Sequence, residues 1–296
     1  MNFKFLKMFL ILTLFLIASI LLSRNFNFVD FSDKIVFIPI KGTIVSSNGN
    51  DIFQENEVTS AQIISYLNQA KNDDTIKAVV LEINSPGGEV IASREITNAV
   101  KSMNKPVVAW IKEVGASGAY WVASASDSIV ADELSITGSI GVLGSYLQFE
   151  KLMEKYGVGY ERLIGGKYKD LGSPYKELSD EERIILQNKI DVIHKIFSDD
   201  VSRNRKRDLS KYSTGEFFLG LEAKEIGLVD HIGGRETAIN VSKKLAGIEK
   251  AKTLSLKERK SFFSSIDKYF TKYSYSLGKG ISEGFLVNNK EFHINT

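Results

Sequence analysis

From residue 35 onward, short apolar runs alternate with longer stretches in which apolar positions recur every three or four residues. The runs IVFIPI (35–40), AVVLEI (78–83), VVAWI (107–111) and SIVAD (128–132) have the length and composition of strands buried on both faces. Residues 54–70, 89–103, 117–125, 150–156 and 179–205 read as helices, the last long and densely charged. The 117–125 stretch is rich in small residues that permit close packing. Strands alternating with helices predict an α/β fold with parallel strands and right-handed crossovers. No repeat of fixed period and no second domain is visible before about residue 248.

The two ends differ from this body. Residues 8–23 carry no charge, Lys4 and Lys7 precede them and Arg24 follows. A spanning helix needs roughly 17–25 residues, which the run reaches if Phe5 and Leu6 join it and Lys7 snorkels. The expectation is an uncleaved transmembrane signal-anchor over 1–24; a cleaved signal peptide or a buried helix are the alternatives. The preceding lysines place the N-terminus in the cytoplasm and the rest of the chain outside it. Residues 25–34 read as a linker, 35–248 as the folded domain and 249–296 as a basic amphipathic tail. In that tail Phe262, Phe263, Ile266, Tyr269, Phe270, Tyr273 and Leu277 follow helical spacing, flanked by Lys257, Arg259, Lys260, Lys268 and Lys272. Such a helix either packs on protein or lies on a membrane surface.

Composition narrows the chemistry. The chain has 296 residues, 43% hydrophobic, with 38 basic and 36 acidic side chains, so it has material for a core and is not disordered. Its near-balanced charge argues against a general nucleic-acid partner. Charge is nevertheless uneven: residues 1–24 carry +3 and 250–296 carry +5, leaving about −6 between them, which favours contact with membrane lipid. The absence of cysteine excludes a thiol nucleophile and Cys-ligated metal sites. Three histidines, His194, His231 and His293, make a multi-histidine metal centre improbable. There is no G-x-x-x-x-G-K-[ST] loop, so ATP-driven unfolding within this chain is not expected. No metal or nucleotide cofactor is expected.

Two segments have the form of a site. Asn84-Ser85-Pro86-Gly87-Gly88 follows the 78–83 strand, where glycines let backbone N–H groups approach a ligand or hold a developing oxyanion, although the same residues also make an ordinary turn. Gly115-Ala116-Ser117-Gly118-Ala119-Tyr120 places a serine at a strand-to-helix turn, as a nucleophile or as a plain N-cap. A serine nucleophile needs a base. His194, within the charged helix, and His231, at a turn, read as surface or structural residues. A lysine can replace histidine if burial makes it neutral, since an ordinary lysine has a pKa of about 10.4. Lys167 and Lys169, in GKYKDLGSP, are the candidates, beside the reading that both are simply solvated.

Taken together, IVFIPIKGTI, LEINSPGGEV, GASGAYWVASASD, ITGSIGV, GKYKDLGSP and GLVDHIGG, in this order over roughly 35–246, resemble the signal peptide peptidase SppA family of Ser–Lys proteases in its short, single-catalytic-domain form. The resemblance implies a Clp protease/crotonase-like spiral of ββα units, here preceded by the transmembrane helix. It matches Ser117 to the nucleophile and, by the spacing between the two, Lys169 rather than Lys167 to the general base. Ser139 matches a lysine-orienting hydroxyl, and Gly88 and Gly118 the oxyanion-hole donors, while Ala119 stands where the family often has a second glycine. It implies a homo-oligomer, an octamer in such short members, whose active sites take Ser and Lys from adjacent protomers. It further implies a cytoplasmic (inner) bacterial membrane location with the catalytic domain extracytoplasmic, and hydrophobic peptides, remnant signal peptides among them, as substrates. The alternatives are a stomatin-partner-type Ser–Lys membrane protease and an inactive peptide-binding membrane scaffold. A Clp-type Ser-His-Asp site is disfavoured because no histidine lies near 140–145.

Overall fold

The computed structural model describes residues 12–15, 32–47 and 57–256. The expected signal-anchor and the amphipathic tail helix lie outside the described residues, apart from the helical residues 12–15. Among the described residues no helix is long and apolar enough to cross a membrane. The chain divides into two units, 1–255 and 256–296, and only Leu256 of the second is described.

The strand and helix runs read from the pattern are present; the strands at 35–40, 78–83 and 107–111 run longer, whereas the 128–132 strand and the helices at 89–103, 117–125, 150–156 and 179–205 fall one to three residues short. In chain order they are β1 (Lys34–Lys41), β2 (Thr43–Val45), β3 (Glu57–Thr59), α1 (Ser60–Asn72), β4 (Ile76–Ser85), α2 (Val90–Lys101), β5 (Val107–Ala116), α3 (Gly118–Ser124) and β6 (Ser128–Ala131). Then follow β7 (Ile136–Gly138), α4 (Glu150–Lys155), α5 (Asp180–Arg205), β8 (Phe217–Leu219), α6 (Gly220–Ile226), β9 (His231–Ile232), α7 (Arg235–Ala246) and β10 (Lys252–Ser255). The helix expected from residue 54 begins at 60, because Glu57–Thr59 pairs with β2 and Thr59 then caps α1, its hydroxyl accepting from Gln62 N–H at 3.2 Å. β10 lies beyond residue 248, so the sheet extends into the segment read as tail.

The main sheet runs β10-β1-β4-β5-β6-β9, every neighbouring pair parallel. β7 joins the far end of β5 in parallel, and β8 pairs antiparallel to β7. A parallel sheet needs cover on both faces, and the alternation along β1 and β4 shows how it is obtained. Ile35, Phe37, Ala78, Val80, Val108 and Val130 meet Ala238 and Ile239 of α7. The opposite face, with Val36, Ile38, Val79 and Leu81 fully buried, is covered by α1 and α3.

The segment 141–180 behaves differently. Up to Ser179 it contains no strand and one short helix, α4, none of whose residues is buried. Leu143, Leu147, Tyr156 and Leu163 are 87%, 73%, 71% and 88% exposed. α5 then starts sharply on a capping box, Ser179 with Glu182, with three acidic residues in its first turn.

Candidate active site

The longest reach of the sheet positions the site. β5 continues past its β6 partner to Gly115 and Ala116, supported there by β7. The chain then breaks at Ser117, with φ 53° and ψ −124°, and turns directly into α3. A serine in this region is strained by about 1–3 kcal/mol and persists only where its surroundings hold it. Those surroundings are rigid. Ser117 N–H donates to Gly138 O at 2.8 Å and Trp121 N–H to Ser117 O at 2.9 Å. α3 is wholly buried; Trp121 stacks on Phe197 at 4.6 Å and donates to Asp200 at 2.9 Å, while Tyr120 donates to Leu228 O at 2.8 Å. Burial pushes the Tyr120 phenol pKa strongly up, keeping it a neutral donor. Ser117 stands at the N-cap position, yet its hydroxyl makes no capping bond. The plain-cap reading therefore does not describe this residue.

The Ser85–Gly88 turn packs against the same point. Gly87 has φ 101°, and a Cβ there would come 2.7 Å from Gly118 N and 2.9 Å from Ala116 O, so only glycine fits. Its N–H is taken up by the Ser85 hydroxyl at 3.1 Å. Gly88 bridges to Ile44 through its neighbours: Ile44 N–H donates to Gly87 O at 2.9 Å and Glu89 N–H to Ile44 O at 2.8 Å. In a parallel bridge of this form the Gly88 N–H points away from Ile44. Gly118 N–H, in the first turn of α3, has no helical acceptor either. Two adjacent turns thus bring two unengaged donors beside Ser117.

Ser139 closes the arrangement. It too is left-handed, with φ 50°, and its N–H donates to Glu216 O at 2.8 Å. Among the described residues only three non-glycine positions have positive φ: Lys206, which ends α5, and these two serines. Ser117 and Ser139 line one cleft of about 500 Å³, with Val142, Leu143, Thr214 and Gly215 on one side and α5 on the other.

α5 contributes Gln187, Ile190, Asp191 and His194, one face at i, i+3, i+4 and i+7. The sequence reading took His194 as a surface or structural residue; the ring is half-buried at the Ser117 cleft, and its Nε2 is buried without a hydrogen-bond partner. The helical spacing of those four residues was the available signal; the charge around them concealed it. His231, by contrast, is exposed in β9, as expected.

The lysines stand apart from the serines. Neither Lys167 nor Lys169 lines the cleft, so the structure brings Ser117, Ser139, Gly88 and Gly118 together and leaves Lys169 outside them. Lys169 is exposed in the turn before Gly172, its backbone N–H donating to Gly166 O at 3.1 Å, and its ammonium has no ion-pair partner among the described residues. Lys167 pairs with Glu181 at 2.7 Å, and Tyr168 donates to the same carboxylate. The Lys167 hydrogen bond to Glu181, and after it one with Tyr168, hold its ammonium well above the usual lysine range, so it stays charged. Asp170 is clamped by Arg162 and, at 3.5 Å, by Lys176; the Arg162 hydrogen bond pulls its carboxyl down to about 2.

The family model described as Peptidase family S49 matches residues 99–249, and one described as Clp protease matches 43–130. A protein of Methanocaldococcus jannaschii named as a protease is 36% identical over 245 residues, covering 80% of this chain and 77% of its own. A protein of Enterococcus faecium named for signal peptide peptidase SppA is 32% identical, covering 78% of this chain and 69% of its own. Among solved structures, a lysine-to-alanine mutant of the 1510-N membrane-bound stomatin-specific protease in complex with a substrate peptide superposes with a TM-score of 0.54. It is 13% identical, and the match covers 81% of this chain and 99% of that one, a likeness of fold.

Proposed function

The chain belongs to peptidase family S49 and is a serine peptidase, and on that premise we propose that it is a membrane-anchored endopeptidase that degrades remnant signal peptides and other hydrophobic peptides with Ser117 and Lys169. The observation that carries the reading is Ser117 itself: a strained, uncapped serine held between a buried helix and two free backbone donors. Neutral Lys169 takes the Ser117 proton, the serine oxygen attacks the peptide carbonyl, and the N–H groups of Gly88 and Gly118 receive the oxyanion. The lysine then protonates the leaving amine and activates water for deacylation. Gly88 is favoured over Gly87 as donor because the Gly87 N–H is already bound to Ser85. Ser139 orients the lysine tip without adding a charge that would keep it protonated.

Lysine acts as a base only when neutral, and in one protomer Lys169 is in water. The segment that carries it also exposes Leu143, Leu147, Tyr156 and Leu163, more apolar surface than a monomer ordinarily leaves wet. Both features support a homo-oligomer, octameric by family resemblance, in which that segment docks on a neighbour and delivers Lys169 to its Ser117. Lys167, paired with Glu181, is the poorer base. The finer fold reading is the ββα spiral of the Clp protease/crotonase type. Residues 1–24 would anchor the chain in the inner (cytoplasmic) membrane with the domain extracytoplasmic, and the basic tail, 249–296, would lie on lipid or protein.

The test is hydrolysis of a hydrophobic fluorogenic peptide by detergent-solubilised protein, comparing wild type with Lys169→Ala at matched oligomeric state. Loss of activity with assembly intact supports the assignment. Equal activity overturns Lys169 as the base. No hydrolysis by an assembled wild type, across a range of peptides, favours a peptide-binding scaffold.

A further inference from the structure

We infer that His194 is a specificity-determining residue: it gives the Ser117 cleft a subsite for a peptide side chain that packs on aliphatic groups and also makes a hydrogen bond, with threonine the best fit. This rests on the reading of Ser117 as the nucleophile. α5 turns Gln187, Ile190, Asp191 and His194 toward the cleft. Two of the polar groups satisfy each other, Gln187 donating to Asp191 at 2.7 Å. The imidazole does not share in this. It makes no hydrogen bond among the described residues, and its Nε2 is buried.

A buried polar nitrogen without a partner costs free energy until something supplies one. The fold does not, while the cleft beside the ring is open to a peptide. The rest of that wall includes aliphatic Val142 and Ile190, and Asp191 is the only carboxylate among the lining residues. A valine side chain would pack there and leave the ring unpaired. A threonine of the same shape would pack equally well, and a small turn of the imidazole would present Nε2, closed to solvent in the peptide-free cleft, to its hydroxyl. A site built to hydrogen-bond a hydroxyl rejects the analogue that lacks it.

The experiment uses the full chain in detergent and pairs of fluorogenic peptides that differ only by Thr or Val, scanned through the positions flanking the cleaved bond. The readout is the Thr/Val ratio of kcat/KM on one preparation. The amount of active enzyme cancels from this ratio, so a partly folded variant remains informative. At one position the wild type is expected to prefer Thr by about threefold to tenfold. His194→Phe should bring the ratio to about one or below, and His194→Gln, which restores a hydrogen-bonding group near Nε2, should keep the preference. Absence of a Thr preference at every position, or its survival in His194→Phe, overturns the inference. Labelling of Ser117 by a fluorophosphonate separates the two levels. Labelling without the preference sinks the subsite alone; no labelling and no hydrolysis by the assembled wild type sink the peptidase site and the subsite together.

Discussion

The turn at Ser117 and the segment 141–180 are built on opposite principles. The strand and helix that flank Ser117 are packed inside the fold: β5 lies inside the parallel sheet, and α3 is wholly buried and fixed by Tyr120, by Trp121 on Phe197 and by Asn204 bonded to Ser124 at 2.9 Å. Such packing holds a serine at φ 53°. In 141–180 many large apolar side chains face water, and the restraints are ion pairs, Arg162 and Lys176 on Asp170 and Lys167 on Glu181, beside the Phe149 N–H donated to Pro174 O at 2.7 Å and the Tyr160–Tyr175 ring pair. The proposed nucleophile and oxyanion donors are finished within one protomer; the proposed base is not. The comparison teaches that one half of a site can be rigid while the other is held loosely; if Lys169 is the base, activity then depends on association.

The largest effects should come from the rigid half. Ser117→Ala should lower peptide hydrolysis about 10³-fold or more while leaving assembly unchanged, read by fluorogenic assay and size-exclusion chromatography. Gly87→Ala forces a Cβ to 2.7 Å from Gly118 N at a φ of 101°, so it should displace the donors beside Ser117 and cost about 10²-fold in kcat. Trp121→Ala removes the ring that stacks on Phe197, and should lower unfolding free energy by about 3–5 kcal/mol in a denaturant titration.

The opposite half should respond in association rather than stability. Leu163→Ala, at a side chain 88% exposed, should change monomer stability by less than about 0.5 kcal/mol yet weaken assembly, so that specific activity becomes dependent on protein concentration. A stability loss like that of Trp121→Ala would place Leu163 in a core and undo the contrast. The smallest effect is the pH response of the Asp170 clamp. Its carboxyl is pulled below the ordinary value, so the clamp's contribution is complete above about pH 4 and fades as pH falls toward about 2. Hydrogen exchange in 162–176 should rise over that interval and be insensitive to pH between about 5 and 8.

How much of this could be read from the chain follows the same division. The apolar runs at 35–40, 78–83 and 107–111 announce their strands because burial on both faces leaves a continuous apolar signature. The three-residue strands β7 and β8 and the two-residue β9 show no period that short windows can carry, and β10 is recruited to β1 from the far end of the domain. Ser117 was legible as a serine between strand and helix, but its strained backbone was not, since φ is imposed by the α3 anchors. Ser139 could be named only through resemblance, and Gly138 O bonded to Ser117 N–H shows how β7 brings it near. The place of His194 at the cleft went unread because its neighbours on α5 are charged, although the spacing of the α5 residues that line the cleft is regular. Lys169 has no near neighbour to mark it in one protomer.

The central claim is that the pair is completed between protomers, and complementation tests it most directly. Ser117→Ala and Lys169→Ala proteins, each inactive alone, are co-expressed and purified as mixed oligomers. If adjacent protomers share a site, random assembly from equal amounts should restore about a quarter of wild-type activity per chain. Mixed oligomers of normal size with no more activity than either parent would contradict the account.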